Sequence, residues 1–490
     1  MTVKSEPAVY TLVVGLGKTG LSVVRYLHAL GEAVVVVDSR DVPPGLSTLK
    51  NEYSDVECVT GSFDVTLFVN AHRIIVSPGV SLAEPALVAA RNNNIEIIGD
   101  IDLFAHEVMA PVIGITGSNG KSTVTTLLAL MASQAGMNAV ASGNIGTPVL
   151  DALNDDVDLY VLELSSFQLE SLQRLPMKAA VVLNISADHL DRYENIAAYA
   201  LSKQVIYENA DVLVLNKDDA LASQVNVSAE KQIRFTLNAP QENEFGICKE
   251  CAVEGGRPAE YLCFGKQRLI AVDQLKIKGR HNLQNAMAAL ALGLAAGLAL
   301  DSMLNTLKEF TGLAHRTQFV AEIHGVNWIN DSKATNVGAT IAALVGLPGK
   351  HILIAGGEAK GADFTALAAI IKQHCRAVVL IGKDATSIKA ALPEEVPVIM
   401  VDDMSMVENS SLHSPHSPLP SGSNGRYGAR SRDGVAIMHA AVVAAQSLAI
   451  PGDNVLLAPA CASFDMFDNF EHRGDVFIQS VESLLSEVSS

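Results

Sequence analysis

Cysteine is sparse. Six residues in a chain of 490 are too few for a disulfide scaffold. Cys248 and Cys251 form a C-x-x-C pair with Cys263 nearby, but a structural zinc site needs a further ligand, so they read as ordinary thiols. Positive charge is also scarce. Lys plus Arg is 35 against 53 Asp plus Glu, a net charge of −18, which argues against a general nucleic-acid binder. Local anion binding survives that balance, because backbone N–H groups and a few lysines suffice. Long apolar runs are missing as well. The longest, Ala286–Leu300, is rich in Ala and Gly and falls short of the roughly 20 residues of a membrane span, so it reads as a buried helix. Met1–Leu21 lacks the cleavage pattern of a signal peptide. The expectation is a soluble, cytoplasmic protein with no membrane insertion. With 49% hydrophobic and 18% charged residues, wholesale disorder is excluded.

What is present is alternation. Apolar runs at Tyr10–Val14, Ala33–Val37, Arg73–Val76 and Ile95–Ile98 are separated by helical patterns at Lys18–Leu30 and around Leu87–Arg91. A second series places strands at Val112–Ile115, Leu159–Leu164, Ala179–Ile185 and Val212–Asn216, with helices at Ser122–Ala135 and near Ile196–Asn209. Gln232–Lys278 reads as a small β-rich excursion and Asn282–Ala296 as a strong helix. A third series has strands at Val326–Asn330, His351–Ala355, Ala377–Ile381, Pro397–Val401 and Asn454–Ala458, and a helix at Val435–Gln446. Strand–helix alternation means parallel sheets covered by helices, an α/β fold. Length gives about three domains at roughly 150 residues each. The boundaries are expected near 99 and 312, giving 1–99, 100–312 and 313–490. Within the last, Glu408–Arg432 is rich in Ser, Pro and Gly and reads as a flexible surface insertion.

Two glycine motifs follow strands and open helices. Gly15-Leu16-Gly17-Lys18-Thr19-Gly20 fits a pyrophosphate-binding turn, and Asp38 ends the next strand where a dinucleotide fold places its ribose-binding acid. Alone, this admits an NAD-dependent oxidoreductase. Thr116-Gly117-Ser118-Asn119-Gly120-Lys121-Ser122-Thr123 is a shortened phosphate loop: its amides cradle an anion, Lys121 adds a point charge, and Ser122 or Thr123 offers Mg²⁺ a hydroxyl. Two nucleotide-type sites on separate domains argue against a simple dehydrogenase. Further polar clusters follow strands at Glu163, at Asn184–His189, at Asn330–Asn336, at Gly356–Phe364 and at Pro459–Asp465. Parallel sheets place ligands at such carboxyl ends.

The strings TGSNGKST, LELSSFQL, DHLDRY, GRHNLQNA, AHR, NDSKATN, GGEAKGADF and PACASFDMFDNFEHRG stand in one order over nearly the whole chain, which in this resembles the Mur ligase family. No DNPR string of the diaminopimelate-adding relatives occurs. GG-x-x-KGADF together with ACASFDMF is similar to the D-glutamate-adding branch. The resemblance implies an N-terminal Rossmann-like domain for a UDP-sugar, a central P-loop-type ATPase domain and a C-terminal Rossmann-like domain for an amino acid. It implies ATP and Mg²⁺ as cofactors and UDP-N-acetylmuramoyl-L-alanine and D-glutamate as substrates. The oligomeric state is not read from the sequence; a monomer is the favoured expectation.

By the same resemblance, Gly117, Ser118, Asn119, Gly120, Lys121, Ser122 and Thr123 hold the phosphates of ATP, and Asn285, Arg316 and Asp331 its adenosine end. Ser122, Glu163, His189 and Lys203 would hold Mg²⁺, Lys203 as a carbamate, and Lys121, Glu163, His189 and Lys203 form the catalytic set. From residue type alone Lys203 reads as a solvated helix lysine. Gly15, Gly17, Lys18, Thr19 and Gly20, with Asp38, Ser39, Arg40, Ser77, Gly79 and Asn144, would take the UDP substrate. Lys333, Thr335, Lys360, Ser463 and Phe470 would take D-glutamate. Trp328 reads as core. The base that deprotonates the attacking amine is left open.

Overall fold

The computed structural model describes residues 9–189, 192–225, 231–250, 259–359, 361–401 and 429–488. Lys360, Cys251 and nearly all of the 408–432 insertion lie outside them. The chain packs as two compact units. The first comprises 1–185, 192–275 and 284–309; the second comprises 186–191, 276–283 and 310–490.

Two sheets build the first unit. Strands β1 (Thr11–Val14), β2 (Val34–Asp38), β3 (Glu57–Thr60), β4 (Arg73–Val76) and β5 (Glu96–Ile98) form a five-stranded sheet in the order β3-β2-β1-β4-β5. Every pairing is parallel. Side chains alternate between its faces: Leu12 and Val14 join one buried cluster and Val13 another. A sheet covered on both faces explains the continuous β-branched runs. The order reverses between β1 and β4, which opens a crevice at their carboxyl ends.

The second sheet holds β6 (Val112–Thr116), β7 (Ala139–Gly143), β8 (Leu159–Glu163), β9 (Met177–Val182), β10 (Ala210–Asn216), β11 (Lys231–Phe235), β12 (Glu244–Lys249), β13 (Glu260–Phe264) and β14 (Gln267–Ala271). Their order is β14-β13-β12-β11-β10-β9-β6-β8-β7. The run from β7 to β12 is parallel, and the expected β-rich excursion appears as the antiparallel edge β12-β13-β14. The apolar run after Ala286 lies in the helix Arg280–Ala296, whose residues Ala286–Leu292 are almost fully buried. Among the described residues no helix is long and apolar enough to cross a membrane.

In the second unit, β15 (Gln318–Ile323), β16 (Val326–Asn330), β17 (His351–Gly356), β18 (Cys375–Ile381), β19 (Val398–Val401) and β20 (Asn454–Leu457) take the order β15-β16-β20-β17-β18-β19. Only β15 is antiparallel to its neighbour. Ile352 and Ile354 face one core and Leu353 and Ala355 the other. Trp328 is buried in the first of these, as expected for a core residue.

Candidate active site

The crevice at the ends of β1 and β4 is a cavity of about 640 Å³. Gly15, Gly17, Lys18 and Thr19, Asp38, Ser39 and Arg40, Ser77 and Gly79, and Asn144 all line it, so the expected UDP-site residues converge. Gly20 does not line it. A Cβ there would collide with the Gly15 carbonyl, so Gly20 allows the close approach of helix to turn. Gly15 has φ +93°, open to glycine without strain. The helix Lys18–Ala29 begins at Gly17 with no side-chain cap, which leaves its first amides available to an anion.

Asp38 is buried and has a structural task. Its Oδ2 accepts from the Leu16 amide at 2.7 Å and Arg40 Nη2 at 2.6 Å; its Oδ1 accepts from the Arg40 amide at 3.0 Å and Arg40 Nε at 2.8 Å. Burial raises its pKa, but the Arg40 side chain and these amides outweigh that and hold the carboxyl down to about 2. Four donors fill the four acceptor positions of a carboxylate. In this arrangement the donors occupy the positions that a ribose diol would use. Instead Asp38 fixes the plane of the Arg40 guanidinium at the cavity.

At the end of β6, Gly117 (φ +146°) and Gly120 (φ +86°) shape the phosphate loop. Gly120 caps the helix Lys121–Gln134 without a side-chain bond, so the positive end of the helix points toward the loop. Lys121 Nζ reaches back to the carbonyls of Gly117 at 2.7 Å and Ser118 at 2.9 Å. Asn184, which follows β9, clamps the loop. Its backbone carbonyl accepts from the Ser118 amide at 2.8 Å, its Oδ1 from the Asn119 amide at 2.9 Å, and its Nδ2 donates to the Asn119 carbonyl at 3.0 Å. Asn285 packs on Gly120 so closely that a Cβ there would meet its amide oxygen.

Glu163 ends β8, paired with Ile115 beside the loop. It is buried, its Oε1 accepts from Asn144 Nδ2 at 2.8 Å, and its Oε2 has no hydrogen-bond partner among the described residues. An orphaned buried carboxylate oxygen beside a phosphate cradle suits a hard cation. No cluster of three or more His, Cys, Asp or Glu fit to hold a metal occurs among the described residues. A single buried carboxylate beside the loop hydroxyls matches the way Mg²⁺ binds, through one or two carboxylates, a hydroxyl and substrate phosphates. Lys203 is 1% exposed, with Nζ 3.4 Å from Thr116 Oγ1 and 4.7 Å from the Tyr199 ring centre. The solvated-lysine reading is thus overturned: the helix Ile196–Gln204 turns this side chain into the core beneath the loop.

The remaining candidates lie in the second unit. His189 is exposed, at φ +53°. Its neighbour Asp188 accepts from Asn336 Nδ2 at 3.1 Å, and Asn336 caps the helix Val337–Gly346. Arg316 sits between His315 (φ +59°) and Thr317 (φ +45°); a β-branched residue in the left-handed region marks local strain. Asp331 follows β16. Burial pushes its pKa up to about 6, against the charge of Arg316 and the Thr317 hydrogen bonds. Lys333 lies 3.7 Å over the Phe470 ring. Ser463 is buried on the loop after β20 and Thr335 follows on from Lys333. Motif reading did not single out Asn184, Arg192 or Arg473 as site residues, although each stands inside or beside a quoted string.

Comparison with known proteins identifies the family. The N-terminal domain of MurD-like Mur ligases matches residues 10–99, the Mur ligase middle domain 115–293, and the Mur ligase glutamate ligase domain 315–413. The chain belongs to the Mur ligase family. It is 47% identical over 484 residues to the UDP-N-acetylmuramoylalanine–D-glutamate ligase of Nitrosococcus oceani, covering 98% of both chains. It is likewise 47% identical over 479 residues to the same-named ligase of Pseudomonas aeruginosa, covering 97% of this chain and 98% of that one. Among solved structures, the UDP-N-acetylmuramate–alanine ligase of Thermotoga maritima aligns with a TM-score of 0.55 at 16% identity, over 97% of this chain and 99% of that one. A pseudomurein peptide ligase of Methanothermus fervidus gives 0.55 at 20%, over 97% and 100%. Those two share the fold.

Proposed function

We propose that this chain joins D-glutamate to UDP-N-acetylmuramoyl-L-alanine at the expense of ATP, a step of peptidoglycan precursor synthesis. The observation that carries the reading is full-length similarity to ligases of that name, at 47% identity with 98% of each chain covered. A carboxylate resists amine attack because its charge and resonance oppose it. Its oxygen therefore attacks the γ-phosphorus and ADP leaves, giving an acyl phosphate. The amine nitrogen of D-glutamate attacks the acyl carbon, and the tetrahedral intermediate expels phosphate as the nitrogen loses a proton. The net products are amide, ADP, phosphate and a proton.

The residues divide this work. The cavity at β1 and β4 holds the UDP end, with Arg40 positioned by Asp38. The Gly117–Thr123 loop and Lys121 hold and neutralise the transferring phosphoryl group. Bound Mg²⁺ would supply further charge neutralisation at the phosphates, held by Ser122, the orphaned Glu163 oxygen, His189 and a carbamylated Lys203. Lys203 is suited to carbamylation because its amine sits in a buried pocket beneath the loop. In the second unit Arg316 and Asp331, with Asn285, serve the adenosine end. Lys333, Thr335, Ser463 and Phe470, and Lys360 outside the described residues, serve D-glutamate. The three domains are assigned to 1–99, 100–312 and 313–490, the protein to the cytoplasm, and the working form to a monomer.

ADP release, measured over a panel of D- and L-amino acids with the UDP-muramyl acceptor, tests the reading. Release that requires both acceptor and D-glutamate supports it. Turnover on a different amino acid without D-glutamate dependence would move the chain to a sister ligase.

A further inference from the structure

The second unit contains a charge that the mechanism above does not use. Arg473, on the helix Phe470–Val488, is completely buried. Its Nε donates to Ser332 Oγ at 3.0 Å, its Nη2 to the Ser332 carbonyl at 2.8 Å, and its Nη1 to the Cys461 carbonyl at 3.1 Å. Ser332 Oγ in turn donates to the Phe470 carbonyl at 2.8 Å. These bonds link two loops far apart in sequence. One leaves β16 and carries Lys333 and Thr335. The other leaves β20 and carries Ser463 and Phe470. Among the described residues the guanidinium bonds to carbonyls and a hydroxyl and to no carboxylate, although the charge of Asp465 lies near. Burying such a cation is costly unless its planar set of donors is satisfied, and a fork of fixed geometry spans two backbones in a way a flexible ammonium cannot.

We propose that Arg473 is a positioning residue that sets the distance between these two loops and thereby the affinity for the incoming amino acid. The inference rests on the reading of the loops as the D-glutamate site. Two further features agree with a fixed spacing. Lys333 lies over the Phe470 ring, so the loops touch through their ligand-facing residues as well as through Arg473. A Cβ at Gly474, next to Arg473, would overlap the His315 ring, and His315 Nδ1 lies 3.0 Å from Asn330 Nδ2 at the end of β16. The buried cation also adds positive potential beside loops that would hold an anionic amino acid.

The test is steady-state kinetics of Arg473→Lys and Ser332→Ala, each first verified as folded by circular dichroism and thermal melting. Ser332→Ala removes one hydroxyl node while sparing the guanidinium, so it keeps the test decisive where Arg473→Lys fails to fold. The expected result is a KM for D-glutamate raised about tenfold or more in Arg473→Lys and several-fold in Ser332→Ala, with the KM values for ATP and acceptor within twofold of wild type. An unchanged KM for D-glutamate in a folded variant overturns the inference, as does an equal rise in all three KM values. If the wild-type protein shows no D-glutamate dependence, the proposed function fails instead, and the two failures are distinguishable.

Discussion

A single lysine carries the largest residue-scale expectation. Lys121→Ala removes the cation from the phosphate loop, and kcat should fall by roughly a thousandfold or more, comparable to loss of a strong transition-state donor. Normal ADP release in that variant would remove the ATP assignment. Lys203 invites a chemical rescue. Lys203→Ala should be inactive and regain part of its turnover with added short carboxylates, which can occupy the space of the carbamate; indifference to carboxylate and bicarbonate would count against the modification. Asp38 gives a pH test of stability. Its pKa falls from 3.8 to about 2 on folding, so the Asp38–Arg40 contacts stabilise the fold above pH 4 and are lost as pH falls through 2. Arg40 is half exposed, so the discounted contribution is about 1 kcal/mol. Arg40→Ala should flatten the acid limb of a denaturation-against-pH curve in that window. Of these residues, Lys121 was evident from the string alone, whereas the burial of Lys203 was hidden, because the side that a lysine on a short Ala-rich helix presents depends on the sheet beneath it.

At the scale of elements, the helix start at Gly120 is the most constrained junction. Gly120→Ala adds left-handed strain of roughly 1–2 kcal/mol and pushes a methyl against Asn285. The expected outcome is a modest drop in melting temperature with a much larger loss of ATP turnover; full activity would show that the loop has more room than its packing indicates. Elements also show what sequence reading can reach. Buried parallel strands such as β1, β9 and β18 were legible because both faces are covered and the chain writes them as unbroken apolar runs. Three strands escaped notice. β3 is partly exposed, β7 reads Ala-Val-Ala-Ser-Gly with little β-branched content, and β15 is an antiparallel edge. The candidate site was legible where motifs are local. The clamps by Asn184 and Arg473, and the bond of Arg192 to the Pro78 and Val80 carbonyls, join segments distant in the chain, and spacing carries no trace of them.

For the whole molecule, the excess of acids predicts the sign of a salt effect. The three proposed ligands are anions and the chain carries −18. Raising ionic strength from about 0.01 M to 0.1 M shortens the Debye length from roughly 30 Å to 10 Å. Net repulsion is then screened, and the association rate of the UDP substrate, followed by stopped flow at fixed free Mg²⁺, should rise. A steep fall would show that the local cations govern the approach instead.

The hold of Lys121 on the carbonyls of its own loop has a consequence for selectivity. An arriving phosphate meets an ammonium already hydrogen-bonded to carbonyls of its own loop, and must outbid them. Weakly charged or singly attached phosphates offer a poor exchange. On the proposed ATP assignment a triphosphate recruits several loop amides at once, and the loop then discriminates by the number of simultaneous contacts rather than by charge alone.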